Sequence, residues 1–232
     1  MLMIIQIKSD LKKYSNPEKI SVLSNFFKTG KGEYGEGDVF IGVTVPDTRE
    51  VAKKYKDINL DLVSDLLESK IHEERLLGVL ILVQKYQYNN DDEIFLFYKK
   101  HNRKINNWDL VDLSADKIAG HYYFNNKNKL NELYQLAKSD NLWERRTAVV
   151  STFYFIKNNS FNETIKISEI LLKDDHDLIH KAVGWMLREI GKRDKETLEK
   201  FLVKYYKEMP RVMLRYAIEK LPENERRKYL IK

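Results

Sequence analysis

A tryptophan and an aspartate four residues apart form the first candidate site of the chain. Trp108 and Asp112 lie in Asn-Asn-Trp-Asp-Leu-Val-Asp, a segment whose pattern predicts a helix. Residues at that spacing share one helical face, so the indole and the carboxylate would lie side by side. Trp185 lies in a similar segment, near Lys181 and Arg188. Aromatic rings, a carboxylate and cations together can hold a nucleotide whose base carries a positive charge.

Each member of this set also has a structural interpretation. Taken alone, Trp108 fits a structural aromatic, and Trp185 fits a core residue of a helix. Asp112 fits an ordinary exposed acid or an ion-pair partner of Arg145 or Arg146. Residue types and spacing alone therefore leave both interpretations open.

The composition is that of a folded protein with a basic surplus. Of 232 residues, 43% are hydrophobic and 33% are charged, which excludes a disordered chain. Lys and Arg total 41 against 35 Asp and Glu, and this surplus favours nucleic acid only if the cations gather on one surface. The absence of cysteine excludes disulfides, thiolate nucleophiles and cysteine-ligated zinc.

The chain start and its hydropathy indicate neither export nor membrane insertion. The first seven residues are apolar except for Gln6, and they run directly into a lysine-rich stretch, without a basic start or a small-residue cleavage site. No apolar stretch approaches eighteen residues, so no membrane span is expected. We therefore expect a cytoplasmic protein that contacts no membrane. We also expect it to be a monomer.

The pattern of apolar residues predicts an all-α chain. Leu76, Leu77, Leu80 and Val83 illustrate the helical spacing that recurs along the sequence. Glycine and proline are scarce, and four of the nine glycines fall within residues 30–37. Short polar breaks separate segments of helical length, and no hairpin pattern is present.

The predicted helices recur with a period near 35 residues. When the repeats are aligned at this period, similar residue pairs fall in one column of the alignment. The pairs are Glu74-Arg75, Glu144-Arg145, His180-Lys181 and Pro210-Arg211, with Asp109 between the first two. Small residues stand four positions after three column heads, at Gly78, Ala148 and Gly184, where two helices would approach closely. This period predicts an α-solenoid of HEAT-like repeats. We expect one domain over residues 1–232, with N-terminal helices in 1–30, a glycine-rich loop in 31–45 and helical repeats in 46–232.

In such solenoids the second helix of each pair often lines a concave groove, which would here be basic. The column would bring a set of cations towards that groove, namely Arg75, Arg145, Arg146, Lys181, Arg188, Arg211 and Arg215. The alternative is that these side chains are solvated cations of the outer face.

Two further motifs match known sites only in part. Residues 30–35 satisfy the dinucleotide-binding pattern G-x-G-x-x-G, but they follow a helical segment rather than a strand. We therefore expect a connecting loop with positive-φ glycines, and Pro46 would lie in the first turn of the next helix. His176 and His180 have the spacing of two metal ligands, yet the zinc-peptidase glutamate is missing, and we expect no metal.

Several segments together carry a family resemblance. They occur in one order along most of the chain: Gly-Glu-Tyr-Gly-Glu-Gly-Asp-Val-Phe-Ile-Gly-Val-Thr-Val-Pro (32–46), Asn-Asn-Trp-Asp-Leu-Val-Asp (106–112), Leu-Trp-Glu-Arg-Arg-Thr-Ala (142–148) and Lys-Ala-Val-Gly-Trp-Met-Leu-Arg-Glu (181–189). With these segments, the sequence resembles the AlkD-like DNA alkylation repair family of HEAT-like-repeat glycosylases, which excise alkylated purines from duplex DNA.

The resemblance implies a role for individual residues. It implies that Asp112 is catalytic, that Trp108 and Trp185 flank the lesion nucleotide, and that Arg146, or less readily Arg145, meets the DNA backbone. Tyr34 is a candidate for a further tyrosine that approaches DNA in relatives.

The implied reaction is hydrolysis without a metal or organic cofactor. Asp112 would stabilise the oxocarbenium character of the sugar and orient water, and the lesion base would stay near the stack, without a deep pocket. Two other functions remain open. They are a non-catalytic protein that binds damaged or branched DNA, and a protein-interaction scaffold.

Overall fold

The computed structural model describes residues 2–230, apart from the side chain of Asn89, and it confirms the predicted all-α repeat fold. The helices are α1 Leu2–Lys12, α2 Pro17–Phe26, α3 Val45–Lys54, α4 Leu60–Leu67, α5 His72–Asn89, α6 Asp92–Lys100, α7 Trp108–Ser114, α8 His121–Asn125, α9 Leu130–Ala137, α10 Leu142–Lys157, α11 Asn162–Ile170, α12 Asp177–Gly191, α13 Lys195–Tyr205, α14 Arg211–Ala217 and α15 Glu223–Leu230. Within the described residues, extended pairing is limited to one isolated bridge between Val39 and Ile71.

The chain forms two compact units, residues 1–114 and 115–232, which we call the N-terminal and C-terminal units. The N-terminal unit packs α3 and α4 against the long helix α5, which also contacts α7. The C-terminal unit is built around α10 and α12, and a π-helical turn, Asp116–Gly120, precedes α8 and packs against α10. The predicted single domain and its groove stay predictions.

Local signals explain where α3 begins. Thr44 accepts a hydrogen bond from the backbone N–H of Asp47, and Pro46 occupies the first turn, where its missing N–H costs nothing. This confirms the predicted helix start. The preceding loop extends from the end of α2 at Phe26, so it begins before the predicted boundary at residue 31.

Helix starts repeat with the predicted period. Five helices, α5, α7, α10, α12 and α14, begin at His72, Trp108, Leu142, Asp177 and Arg211. The steps between these starts are all close to 35 residues, which agrees with the sequence pattern.

Shared contacts at the helix entries correct the register of the column. The Arg75 guanidinium donates to the Ser69 carbonyl at 2.9 Å, and Arg145 donates to the Ser139 carbonyl at 2.9 Å. His180 makes the corresponding contact through Nε2 to the Asp174 carbonyl. His180 is therefore the structural equivalent of Arg145. The predicted alignment, which placed Lys181 at the repeat position of Arg145, is wrong by one residue.

Neighbouring helices approach each other closely at two of the predicted positions, where the residue is glycine and has no side chain. A Cβ at Gly184 would lie 2.5 Å from the Met213 carbonyl oxygen of α14, and one at Gly78 would lie 3.2 Å from Leu66 of α4. Glycine at these positions lets neighbouring helices pack closely.

None of the helices between residues 2 and 230 combines the length and hydropathy that a membrane span requires.

Candidate active site

Trp108 and Asp112 line one cavity inside the N-terminal unit. Trp108 is the first residue of α7 and Asp112 follows one turn later, so both side chains leave the same helical face as the spacing predicts. The cavity has a volume of about 450 Å³ and is bounded by α2, α5, α7 and the loop before α3. Both side chains are half-buried. Nothing in the sequence indicated this cavity, and we expected no deep pocket.

Aromatic rings from α2 and the loop support Trp108. Phe27 stacks on the indole with ring centroids 5.2 Å apart and an interplanar angle of 16°. Phe26 meets the indole edge-on, with ring centroids 5.6 Å apart. Phe40 stacks on Phe27, with ring centroids 5.1 Å apart. Stacked and edge-on pairs are the favoured aromatic geometries. The cluster therefore fixes the orientation of Trp108 in the cavity wall.

A buried histidine joins this cluster to two carboxylates. His72, the first residue of α5, stacks on Phe40 with centroids 4.6 Å apart. Its Nε2 lies 2.8 Å from Asp109 Oδ2, and its Nδ1 lies 3.2 Å from Asp38 Oδ2. A ring that donates from both nitrogens is an imidazolium. Burial lowers the pKa of His72, but the charge and hydrogen bond of Asp109, together with the Asp38 hydrogen bond, outweigh it and raise the pKa to about 9.

The same network balances its own charge. Arg75 contacts Asp38 Oδ1 at 2.7 Å, so two buried cations face the two carboxylates of Asp38 and Asp109. Burial raises the pKa of Asp38, but His72 and Arg75 hold it below its ordinary value. Since Asp109 also accepts the backbone N–H of Leu110 at 2.8 Å, the network anchors the first turn of α7, which carries Trp108.

Glu73 holds the loop that forms another wall of the cavity. Its carboxylate accepts backbone N–H groups of Ile41, Gly42 and Val43 at 2.8–3.2 Å. Gly42 has a φ of +82°, and a Cβ there would collide with the Asn16 carbonyl oxygen. Gly32 and Gly42 confirm the predicted positive-φ glycines. The loop does more than connect two helices, because it also supplies Asp38 and Phe40 to the site.

Trp185 lies in the C-terminal unit on α12. It is half-buried, and its ring is 5.7 Å from that of Phe153 on α10, with an interplanar angle of 50°. Lys157 places its ammonium 4.4 Å from the Phe153 ring centroid and 2.5 Å from Asp116. Trp185 is therefore a partly exposed aromatic residue that contacts Phe153, and its role towards a nucleotide stays a prediction.

The two arginines of the Trp-Glu-Arg-Arg segment make contacts within the C-terminal unit. Arg145 donates to Asp174 at 2.7 Å, in addition to its bond to Ser139. Arg146 is only 5% exposed and donates to the Leu178 carbonyl at 2.6 Å. The low exposure of Arg146 therefore does not support the preference for Arg146 over Arg145 as the residue that contacts the DNA backbone. Both assignments stay predictions.

The other predicted cations of the C-terminal unit differ in exposure. Lys181 pairs with Asp177 at 2.6 Å, and Arg188 pairs with Glu219. Arg211 is exposed and donates to the Leu230 carbonyl at 3.3 Å, and Arg215 is also exposed. Exposed cations of this kind suit phosphate contacts, which stay predictions for all four residues.

Two predicted residues of the N-terminal unit lie outside the cavity wall. Tyr34 is half-buried in the loop, with its hydroxyl 3.5 Å from the Phe26 carbonyl. The expectation that Arg75 lines a basic groove is wrong, because this residue is 4% exposed and its guanidinium is paired with Asp38.

His176 and His180 serve the entry of α12. His176 accepts the backbone N–H of Leu178 through Nδ1 at 3.1 Å, while His180 faces the Asp174 carbonyl. Across residues 2–230, no three acidic or histidine side chains gather in a way that would hold a metal ion.

Several site residues were not found from the sequence. They share the cavity wall or the network behind it, and they are Phe26, Phe27, Asp38, Phe40, His72, Glu73 and Asp109. The available signal was the recurring helix entry, since His72 and Glu73 directly precede the repeat pair Glu74-Arg75. The partners of His72 and Glu73 lie 30 to 37 residues away, so spacing alone could not connect them.

The fold and the site define an all-α helical-repeat protein with a carboxylate and aromatic rings in one cavity. The model of the DNA alkylation repair enzyme family matches residues 7–221, which is most of the chain. The chain therefore belongs to this family. No curated protein matches it.

Solved structures share the fold at low identity. A predicted DNA alkylation repair enzyme from Enterococcus faecalis is similar with a TM-score of 0.73 and 18% identity, over 90% of this chain and 97% of that chain. AlkD2 from Streptococcus mutans has a TM-score of 0.58 and 20% identity, over 89% and 98% of the two chains. The protein smu.31 from Streptococcus mutans UA159 has a TM-score of 0.55 and 22% identity, over 89% and 96%.

Proposed function

We propose that this protein is a DNA glycosylase that hydrolyses the N-glycosidic bond of positively charged alkylated purines, such as 3-methyladenine and 7-methylguanine, in duplex DNA. The observation that carries the proposal is the shared cavity of Trp108 and Asp112 in a member of the DNA alkylation repair enzyme family. The proposed site of action is cytoplasmic DNA, and the protein acts as a monomer.

The chemistry of the substrate explains why one carboxylate is sufficient. Alkylation at N3 or N7 gives the purine a formal positive charge, so the base leaves readily when the bond to C1′ breaks. The deoxyribose then acquires oxocarbenium character. Asp112 stabilises this developing cation and orients the attacking water as a general base, and both effects operate best in a site that excludes bulk water.

The aromatic residues and the cations bind rather than react. The indole faces of Trp108 and Trp185 pack against the lesion nucleotide and favour its positive charge. The exposed cations of the C-terminal unit, such as Arg211 and Arg215, contact phosphates and supply affinity without reading the base sequence.

The test is single-turnover release of 7-methylguanine from a methylated duplex by the wild type and by Asp112→Asn. Loss of the carboxylate charge should lower the rate by about 10²–10³-fold, the usual effect of removing one electrostatic stabiliser. Binding of the duplex should persist, because the phosphate contacts remain.

Asp65→Asn is the matched control, since Asp65 is an exposed aspartate of α4 that does not line the cavity. Release by Asp112→Asn at the wild-type rate would disprove the assignment of Asp112. Absence of release by the wild type, together with tight and salt-dependent duplex binding, would identify a non-catalytic DNA-binding protein instead.

A further inference from the structure

A charged cluster of the C-terminal unit has no part in the proposed reaction so far. The buried carboxylate of Asp116 contacts two lysines, Lys117 at 3.3 Å and Lys157 at 2.5 Å. One carboxylate carries one negative charge, so it cannot neutralise both ammonium groups. The side chain of Lys157 is 42% exposed, so its charge can attract an anion from the solvent.

The local backbone explains why a carboxylate lies at this position. Asp116 begins the π-helical turn, in which the Gly120 N–H donates to the Ala115 carbonyl, five residues earlier, at 2.8 Å. The Ser151 hydroxyl of α10 donates to the same carbonyl at 3.3 Å, which joins the turn to α10. Such turns are rare and occur frequently at functional sites. This turn holds Asp116 against the helix that ends at Lys157.

An aromatic ring connects the Lys157 ammonium to Trp185. The ammonium lies 4.4 Å from the centroid of the Phe153 ring, and the ring centroids of Phe153 and Trp185 are 5.7 Å apart. The distance from the ammonium to the indole therefore cannot exceed the sum of these two distances. Phosphates of one DNA strand follow each other at about 3.4 Å along the helix axis, so this reach corresponds to about three nucleotides.

We propose that Lys157 binds a backbone phosphate of duplex DNA close to the nucleotide that packs against Trp185. Asp116 and the Phe153 ring direct the ammonium, and its exposed side donates to a phosphate oxygen. This inference rests on the proposed function, because it needs DNA as the substrate and Trp185 as a DNA contact. It adds a binding residue that the repeat pattern did not predict. The contact is to the backbone, so it leaves the lesion base near the stack.

The salt dependence of duplex binding tests the contact. The affinity of a protein for B-DNA falls as salt rises, and each neutralised phosphate adds about 0.9 to the slope of log K against log salt. Lys157→Gln should therefore reduce the magnitude of this slope by about 0.9, equally for an undamaged and a methylated duplex. Lys157→Arg should keep the wild-type slope, because a guanidinium keeps the charge and also binds phosphate.

Lys166→Gln is the matched control. Lys166 of α11 also lies over an aromatic ring, that of Tyr134 at 5.7 Å, and it pairs with Glu163 at 3.5 Å. This substitution removes the same charge from a different helix, so it should leave the slope unchanged. Equal slope changes in Lys157→Gln and Lys166→Gln would overturn the proposal, since they would reflect net charge alone.

Thermal melts separate the contact from a purely structural role. If Lys157 only stabilises the π-helical turn through Asp116, Lys157→Gln should lower the melting temperature and keep the wild-type slope, and this outcome would overturn the proposal. The slopes are compared at a temperature where every variant is folded.

Single-turnover release of 7-methylguanine distinguishes the failure of this contact from the failure of the proposed reaction. At subsaturating protein, release by Lys157→Gln should fall in parallel with its affinity, and Lys166→Gln should release the base at the wild-type rate. A reduced slope in Lys157→Gln without release by the wild type would support the contact and overturn the hydrolysis. Release by the wild type, with one slope for all variants, would overturn the contact and leave the glycosylase in place.

Discussion

Trp108 and Trp185 are both half-buried tryptophans that contact a phenylalanine, but the two aromatic pairs are held in different ways. Phe27, which supports Trp108, packs against the buried imidazolium of His72 at 4.9 Å between centroids. Phe153, which contacts Trp185, lies beneath the partly exposed ammonium of Lys157. The first pair is therefore anchored to the interior of its unit, and the second pair borders the solvent.

This difference indicates different contributions to function. Charges buried between His72 and its two carboxylates interact in a medium of low dielectric constant, so their geometry is strongly constrained. An ion pair such as Lys157 with Asp116 is screened on its exposed side and constrains its neighbours less. We infer that the Trp108 region is preorganised, whereas the Trp185 region can adapt to a bound partner.

The largest effect is expected for His72→Gln. The substitution removes the cation between Asp38 and Asp109 and leaves two buried carboxylates without their shared partner, which costs about 3–5 kcal/mol of unfolding free energy. Lys157→Met in the C-terminal unit should cost about 1 kcal/mol, because Lys117 still lies 3.3 Å from Asp116. Urea unfolding of both variants measures the difference, and equal costs would contradict the proposed anchoring.

The pH dependence of stability should report the same histidine. The folded-state pKa of His72 is about 9, above its ordinary value of 6.5, so its stabilisation is fully present below pH 6.5 and is lost as pH rises through 9. Between these limits the unfolding free energy should fall by about 3 kcal/mol. His72→Gln should abolish this fall, and an identical pH profile in the variant would show that another group causes it.

Alanine at each tryptophan compares the two regions directly. Trp108→Ala should lower the unfolding free energy by about 2 kcal/mol, because it removes two aromatic contacts from the buried cluster. Trp185→Ala should cost about 1 kcal/mol and should instead weaken binding of a methylated duplex. Thermal melts and salt-controlled duplex titrations measure the two effects. A collapse of the melt in Trp185→Ala would identify that residue as core.

The sequence by itself determined the helical architecture and the first two site residues. Helices depend on backbone hydrogen bonds between residues four apart, so apolar spacing and local caps such as Thr44 predicted them. The shared face of Trp108 and Asp112 follows from the same local geometry. The 35-residue period also predicted the repeated helix starts, since each repeat reuses one pattern of packing.

Only the tertiary structure decided which side chains surround that pair. His72 contacts Asp38 and Asp109, which lie 34 and 37 residues away along the chain, and no local pattern specifies such partners. The burial of Arg75 and Arg146 could not be predicted from the sequence either, because an arginine on a helix can face solvent or a buried acceptor. Packing of four separate segments created the cavity, and packing depends on shapes that spacing does not encode.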